Sequence, residues 1–247
     1  MVSKGKIKYL KSLQVKKYRK QEQSFVVEGA KSVQELLGST FELVWVGGTE
    51  SFLQDHARQL SSKKIEVAEV SLRELAQLSS FQTNETVIAV AKMKRNSLPE
   101  LENEFCLVLD DLRDPGNVGT IIRTADWYGI KNIIASEETA DFYNPKTISA
   151  TMGSFCRVNL FYTKLNEFFS QNKLPVFGAF MDGADVHQLD FGKRGLIVIG
   201  NESNGISEGV SKFVQHRITI PRIGGAESLN AGIATGIILD NLFRLKK

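Results

Sequence analysis

The sequence predicts an α/β protein of two units, a small one followed by a larger one built on a mainly parallel sheet. Three observations point there. Strand-like apolar runs alternate with helix-period segments along the chain, which argues for sheets with helices on their faces. Two of those runs, FCLVL at residues 105–109 and LIVI at 196–199, are apolar at every position, the pattern of strands buried on both faces. Between Lys92 and Glu104 the chain turns polar around Pro99, which reads as a linker. The expected units are therefore residues 1–97 and 105–247, joined by 98–104. A length of 247 residues suits that division and allows a sizeable core.

Residues 4–22 read as a basic helical segment with a thin apolar stripe of Ile7, Leu10 and Leu13. Lys4, Lys6, Lys8, Lys11, Lys16, Lys17, Arg19 and Lys20 give the first twenty residues eight positive charges and no acid, while the remaining 23 of the 31 basic residues face 28 acids. The net charge of +3 thus hides a local excess. A solvated helix face and a phosphate-contacting arm both fit it. Strands follow at 25–27, 43–46, 65–70 and 87–91, with helices to about Leu37, near Phe52–Leu60 and at Leu72–Leu78; together they make a small α/β unit without a catalytic constellation.

The second unit opens with the strand at 105–109. Asp114-Pro115-Gly116-Asn117 is a turn by its chemistry, since proline sets φ and glycine permits a reversal. A helix over Val118–Tyr128 presents Arg123 one turn beyond Gly119. Strands are expected at 132–135, 158–160, 176–180, 196–199 and 218–220, helices at 146–152 and 164–172, and a last helix from Ala231 to about Leu245. Cys106 and Cys156 lie in apolar surroundings and suit buried free thiols of a reducing compartment. His56, His187 and His216 show no ligand spacing, so no zinc site is expected. No signal-peptide core and no apolar run of the ~18 residues needed to span a bilayer is present, which leads us to expect a soluble, intracellular protein. There is neither G-x-G-x-x-G after the first strand of this unit nor a G-x-x-x-x-G-K-[ST] loop, against an ordinary nucleotide-binding site.

Glycine-rich loops fall late instead. Residues 217–236, RITIPRIGGAESLNAGIATG, run from a strand through Gly224 and Gly225 to Ser228, Leu229 and Asn230 at a helix start, where either polar side chain could be a plain N-cap or a hydroxyl-binding group. Residues 196–206, LIVIGNESNGI, carry Gly200, Glu202 and Gly205 after a strand; residues 110–129, DDLRDPGNVGTIIRTADWYG, carry Asn117, Gly119 and Arg123. In this order the three stretches resemble the signature motifs of the SpoU (TrmH-like) branch of the SPOUT RNA methyltransferases. The segment KKYRKQEQSFVVEGAKSVQELL resembles the L30e-like substrate-binding domain found before many of them, and Glu28 and Gly29 within it read as structural.

That resemblance implies a carboxy-terminal trefoil knot, S-adenosyl-L-methionine as methyl donor, transfer to a ribose 2′-hydroxyl of RNA (rRNA rather than tRNA, given the extra domain), a cytoplasmic homodimer whose sites are completed across the interface, and no membrane or metal. It assigns Gly200, Ile220 and Leu229 to the donor. Arg123 would position phosphate and stabilise charge first and move a proton second, because its guanidinium is a permanently charged fork. Asn117 can fix Arg123 or the ribose, Glu202 can pair with Arg123 or a loop amide, and Ser228 and Asn230 can meet the target hydroxyl. Asp110, Asp111 and Asp114 look like a carboxylate cluster for magnesium but read as strand-end and turn residues in a family without a catalytic metal. Arg222 departs from the family, where an apolar residue is common after the proline, as does Ala231-Gly232-Ile233; Asn144-Pro145-Lys146 through Ser154 resembles a family segment of undefined role. The alternative is a non-catalytic RNA-binding or ribosome-assembly factor of the same fold, which a degenerate Arg123, Asn117 or Asn230 would mark; all three are present.

Overall fold

The computed structural model describes residues 2–63, 65–81, 84–101 and 104–244. Leu245, the expected end of the last helix, and residues 102 and 103 of the expected linker lie outside the described residues. Along the chain come α1 (Lys4–Ser12), α2 (Lys16–Glu22), β1 (Ser24–Glu28), α3 (Ala30–Leu37), β2 (Leu43–Gly48), α4 (Glu50–Asp55), α5 (Ala57–Ser62), β3 (Glu66–Glu69), α6 (Leu72–Leu78) and β4 (Val87–Lys92). Then follow β5 (Phe105–Leu109), α7 (Pro115–Trp127), β6 (Asn132–Ser136), α8 (Pro145–Ala150), β7 (Asn159–Thr163), α9 (Leu165–Gln171), β8 (Val176–Asp185), β9 (Gly195–Ile199), α10 (Glu208–Ser211), β10 (His216–Thr219) and α11 (Ala231–Arg244).

Two compact units result, Met1–Arg95 with Asp141–Cys156, and Asn96–Ala140 with Arg157–Lys247. Residues 141–156, between β6 and β7, therefore belong to the first unit, a membership that the linker composition gave no sign of. Its reason is side-chain chemistry. Tyr143 meets Phe25 in a tilted pair with ring centroids 4.6 Å apart, and Phe155 meets Phe25 and Phe41 at 6.0 and 5.8 Å. Arg19 is 1% exposed; it donates to the carbonyls of Leu13 and Gln14 and pairs with Asp141 at 2.5 Å. Arg19 is thus a buried strut and not part of a phosphate-contacting arm, whereas Lys4, Lys8, Lys11, Lys16, Lys17 and Lys20 are exposed. The basic segment is two helices because Leu13 closes α1 and Val15, extended, opens α2. The sheet of this unit has the order β1-β4-β2-β3, antiparallel but for β2 beside β3. The expected helix at 52–60 is likewise two, α4 and α5, broken at His56. Glu28 accepts from the Ser80 amide and from Ser79, at the C-terminal end of α6, a structural role.

The second unit holds a six-stranded, wholly parallel sheet in the order β10-β8-β9-β5-β6-β7. β5 and β9, apolar throughout, are its buried centre. The order reverses at β5, which leads on to β6 on one side while the later strands β9, β8 and β10 fill the other. Open parallel sheets bind ligands at such a switch point, outside the carboxyl ends of the strands. β8 extends to Asp185, beyond the expected Phe180, and β10 begins two residues before the expected Ile218 and ends one before Ile220. Of the two thiols, Cys106 is buried in the sheet, where desolvation pushes its pKa far up, and Cys156 is only half-buried.

Candidate active site

The site is assembled at the switch point by three loops, each leaving the carboxyl end of a strand or entering a helix. α7 starts where Asp114 accepts the Asn117 amide at 2.8 Å and Pro115 occupies the first turn, where its missing N–H costs nothing. The helix buries Val118, Ile121, Ile122 and Ala125 and leaves Thr120, Arg123 and Trp127 exposed. At its first turn, Asn117 points to the other two loops.

The Asn117 amide nitrogen donates to Glu202 Oε1 at 2.9 Å, and its oxygen accepts from Asn230 Nδ2 at 2.8 Å. An amide side chain carries both a donor and an acceptor and so satisfies a carboxylate and a second amide at once, which makes Asn117 the hub joining all three motifs. Asn230 in turn accepts from the amides of Gly232 and Ile233 at 2.9 and 3.3 Å and so caps α11. Capping and site-building are one role there, while Ser228 lies exposed in the loop. α11 packs on α7, and the far ends are tied as well: Tyr128 stacks on Phe243 at 5.7 Å and donates to Asp240; desolvation first, and then this bond, raises the Tyr128 pKa.

The loop after β9 is held by backbone geometry. Asn201 and Gly205 exchange two amide–carbonyl hydrogen bonds of 2.9 Å, and Gly205 has φ +68°. A Cβ on Gly200 would stand 2.2 Å from the Gly205 carbonyl carbon, so the loop closes only over glycine. Two residues that sequence reasoning passed over or read as mere turn residues fasten it. Asn201 accepts from Ser203 and Asn204 and donates to the Asp111 carbonyl at 2.7 Å, and the buried Asp110 carboxylate accepts the Ser207 amide at 2.7 Å. Asp111 pairs with Arg113. The aspartates therefore staple the end of β5 to the loop after β9; among the described residues no group of three or more His, Cys, Asp or Glu is placed to hold a metal. A signal for Asn201 existed, since an Asx residue before a tight loop commonly bonds its own backbone two residues on.

The loop at 221–230 is exposed throughout, and Arg222 donates to the Ala226 carbonyl at 3.2 Å across its glycine pair. Ile220 is half-buried and Leu229 is 48% exposed. Arg123 stands apart: six residues beyond Asn117 it lies about 9 Å further along α7 and on another face. It takes neither Glu202 nor Asn117 as a partner among the described residues; those two bond to each other instead. The residues present suit a donor molecule that is apolar and cationic in part. Open backbone at Gly205, Gly224 and Gly225, where an added Cβ would touch nothing, and the apolar Ile220 and Leu229 supply shape and carbonyls.

Comparison with known proteins agrees with this architecture. Residues 104–240 match the SpoU rRNA Methylase family, and residues 4–89 match the MRM3-like substrate binding domain. The 23S rRNA (guanosine(2553)-2′-O)-methyltransferase RlmP of Bacillus subtilis is 28% identical over 96% of this chain and 95% of its own length. The AdoMet-bound rRNA methyltransferase from Sinorhizobium meliloti superposes with a TM-score of 0.89 at 28% identity, covering 99% of this chain and 96% of the other. A TrmH-family chain from Porphyromonas gingivalis does so at 0.86 and 35% identity, with 99% of both covered. With its family match spanning the whole parallel-sheet unit from β5 into α11, and its three motifs joined through Asn117, the chain belongs to the SpoU rRNA methylase family.

Proposed function

We propose that this protein transfers a methyl group from S-adenosyl-L-methionine to a ribose 2′-hydroxyl of rRNA. The observation that carries the reading is the Glu202–Asn117–Asn230 chain of hydrogen bonds at the switch point of the parallel sheet. It sets two glycine loops fit for the donor against the start of α7. Relatives named for guanosine and uridine 2′-O-methylation of 23S rRNA support the ribose as the shared target.

The donor, when bound, supplies an electrophilic methyl carbon on a sulfonium. Gly200, Ile220 and Leu229 hold it by shape and backbone, and Asn117, Glu202, Ser228 and Asn230 orient the acceptor, since orientation supplies much of the rate in a displacement of this kind. Arg123 holds the RNA phosphate and stabilises the developing oxyanion. Its distance from the Asn117 hub in one chain supports a homodimer in which Arg123 serves the partner's site. The exposed stripe Thr120, Arg123 and Trp127, the last 84% exposed, and Ile233 at 57% on α11 are the surface for it. The passage of the chain from the loop at 200–207 through the loop at 220–230 to α11 beside α7 supports the trefoil threading. An rRNA substrate would place the work in the cytoplasm, and residues 1–97, with the exposed lysines of α1 and α2, would grip it.

The test is methylation of ribosomal RNA with labelled donor, followed by nuclease digestion: a 2′-O-methylated nucleoside is expected, and label in a base would refute the assignment. Mixing Arg123→Ala with Asn230→Ala tests the shared site. Each alone should be inactive, and an equimolar mixture, in which half of the dimers are mixed and each of those carries one intact site of two, should regain roughly a quarter of wild-type activity. No recovery would place Arg123 in its own chain's site.

A further inference from the structure

We propose that the stacked pair Arg217 and Phe180 is a nucleobase-binding platform beside the donor loops, a role that rests on the methyltransferase reading above. The feature that singles it out is a break in the sheet. Arg217 of β10 pairs with Gly178 of β8, but the next residue, Ile218, pairs with Ala184. Residues 179–183 thus leave the ladder as a tab at the carboxyl edge of the sheet, where the loops after β9 and β10 also emerge. Such interruptions commonly re-aim a side chain.

Phe180 stands in this tab. Its ring fills the space above Gly178 beside Ile206 and Val214, so it borders the loop that Gly200 opens; a Cβ on Gly178 would lie 2.8 Å from that ring and 3.0 Å from each of the other two. The Arg217 guanidinium covers the ring, its carbon 3.6 Å from the centroid. Asp182, from the same tab, accepts from Arg217 at 2.6 Å, and Thr219 donates to the Met181 carbonyl at 3.2 Å, pinning the tab to β10. Phe180 packs against the core on one side, while the Arg217 side chain that covers it remains 45% exposed and Met181 62% exposed.

The chemistry of the exposed surface favours a flat ring over a phosphate. Asp182 neutralises the guanidinium, which removes the attraction an anion would need, while the guanidinium plane offers a delocalised face of the kind on which bases stack. Arg217 is three residues before Ile220, about 10 Å along the strand direction, within the span of a nucleoside. Two molecules of this reaction carry such a ring, the adenine of the donor and a base of the RNA.

The experiment measures, in the full-length protein, S-adenosyl-L-methionine affinity by calorimetry and the affinity of a single-stranded oligoadenylate by fluorescence anisotropy. The variants are Arg217→Gln, Arg217→Lys and Asp182→Asn, each checked for an unchanged thermal melt. Both Arg217 variants should weaken binding by about 5- to 150-fold, the range of one lost stack, because lysine keeps the charge but not the plane. Asp182→Asn should cost less. Loss in the donor arm assigns the adenine, and loss in the oligonucleotide arm assigns an RNA base. Affinities within twofold of wild type in both arms, or full rescue by Arg217→Lys, would overturn the platform while the wild-type protein still binds donor. Wild type that binds neither probe would sink the methyltransferase reading beneath it.

Discussion

Replacing Asn117 by alanine removes both hydrogen bonds that join the three loops, 2.9 Å to Glu202 and 2.8 Å from Asn230. Glu202 and Asn230 are exposed, so each bond is worth about 1 kcal/mol net, and the pair about 2 kcal/mol. The same energy has two possible destinations. Taken from global stability it would lower Tm by about 4–8 °C in a chain of this size. Taken from the arrangement of the site it would lower kcat/KM by roughly 30-fold. The bonds connect surface loops that can part without unfolding the sheet, so the second outcome is expected, with a Tm shift under about 2 °C. Asn117→Asp should be worse than alanine, because it sets a carboxylate against Glu202 while keeping the acceptor for Asn230. Steady-state methylation of RNA and a thermal melt measure both quantities. In an Asn117→Ala/Glu202→Ala double-mutant cycle, losses that add to within about 0.3 kcal/mol would refute the hub, as would an Asn117→Asp enzyme of wild-type activity.

Further outcomes follow from other contacts. Gly200→Ala drives a Cβ into the Gly205 backbone, so the loop must open, and donor affinity should fall at least tenfold while RNA affinity holds; calorimetry decides it. Arg19→Met leaves Asp141 without its buried partner, at a cost of about 3–5 kcal/mol, and should lower Tm by roughly 6–20 °C; a melt within 2 °C of wild type would contradict the strut. The Glu74 carboxyl is held at about 2, below its ordinary 4.5, chiefly by the Ser71 amide and then the Val2 amide. A depressed folded pKa means its stabilisation is full above about pH 5 and is lost as pH falls through 4.5 towards 2. Glu74→Gln should flatten that part of the stability profile, and an unaltered profile would show the α6 cap to be without effect.

Much of this was legible in the sequence. β5 and β9 announced themselves by apolar residues at every position, α7 by Asp114 and Pro115 at its start, and the three motifs by glycines and polar residues in a fixed order. What composition could not show was pairing between distant segments. Arg19 read as one more cation of a basic arm, yet it is buried against Asp141, because a local charge count does not see a carboxylate 122 residues away. The excursion at 141–156 into the first unit rests on Phe25, Tyr143 and Phe155, whose apolar character fits any core equally well. Glu202 was expected to meet Arg123 or a loop amide and instead meets Asn117, since helical spacing turns Arg123 to a different face. The tab of β8 was invisible for a similar reason: Phe180 continues an apolar run, and only the register with β10 shows that the ladder breaks there.

The central claim is that the loops after β9 and β10, set against α7 by Asn117, bind the methyl donor. The most direct measurement is a calorimetric titration of S-adenosyl-L-methionine into the folded protein, with and without ribosomal RNA, for wild type and Gly200→Ala. Saturable binding by wild type that the substitution weakens at least tenfold is the predicted result. Equal binding by both proteins, or a folded wild type that takes up no donor in either condition, would contradict the claim.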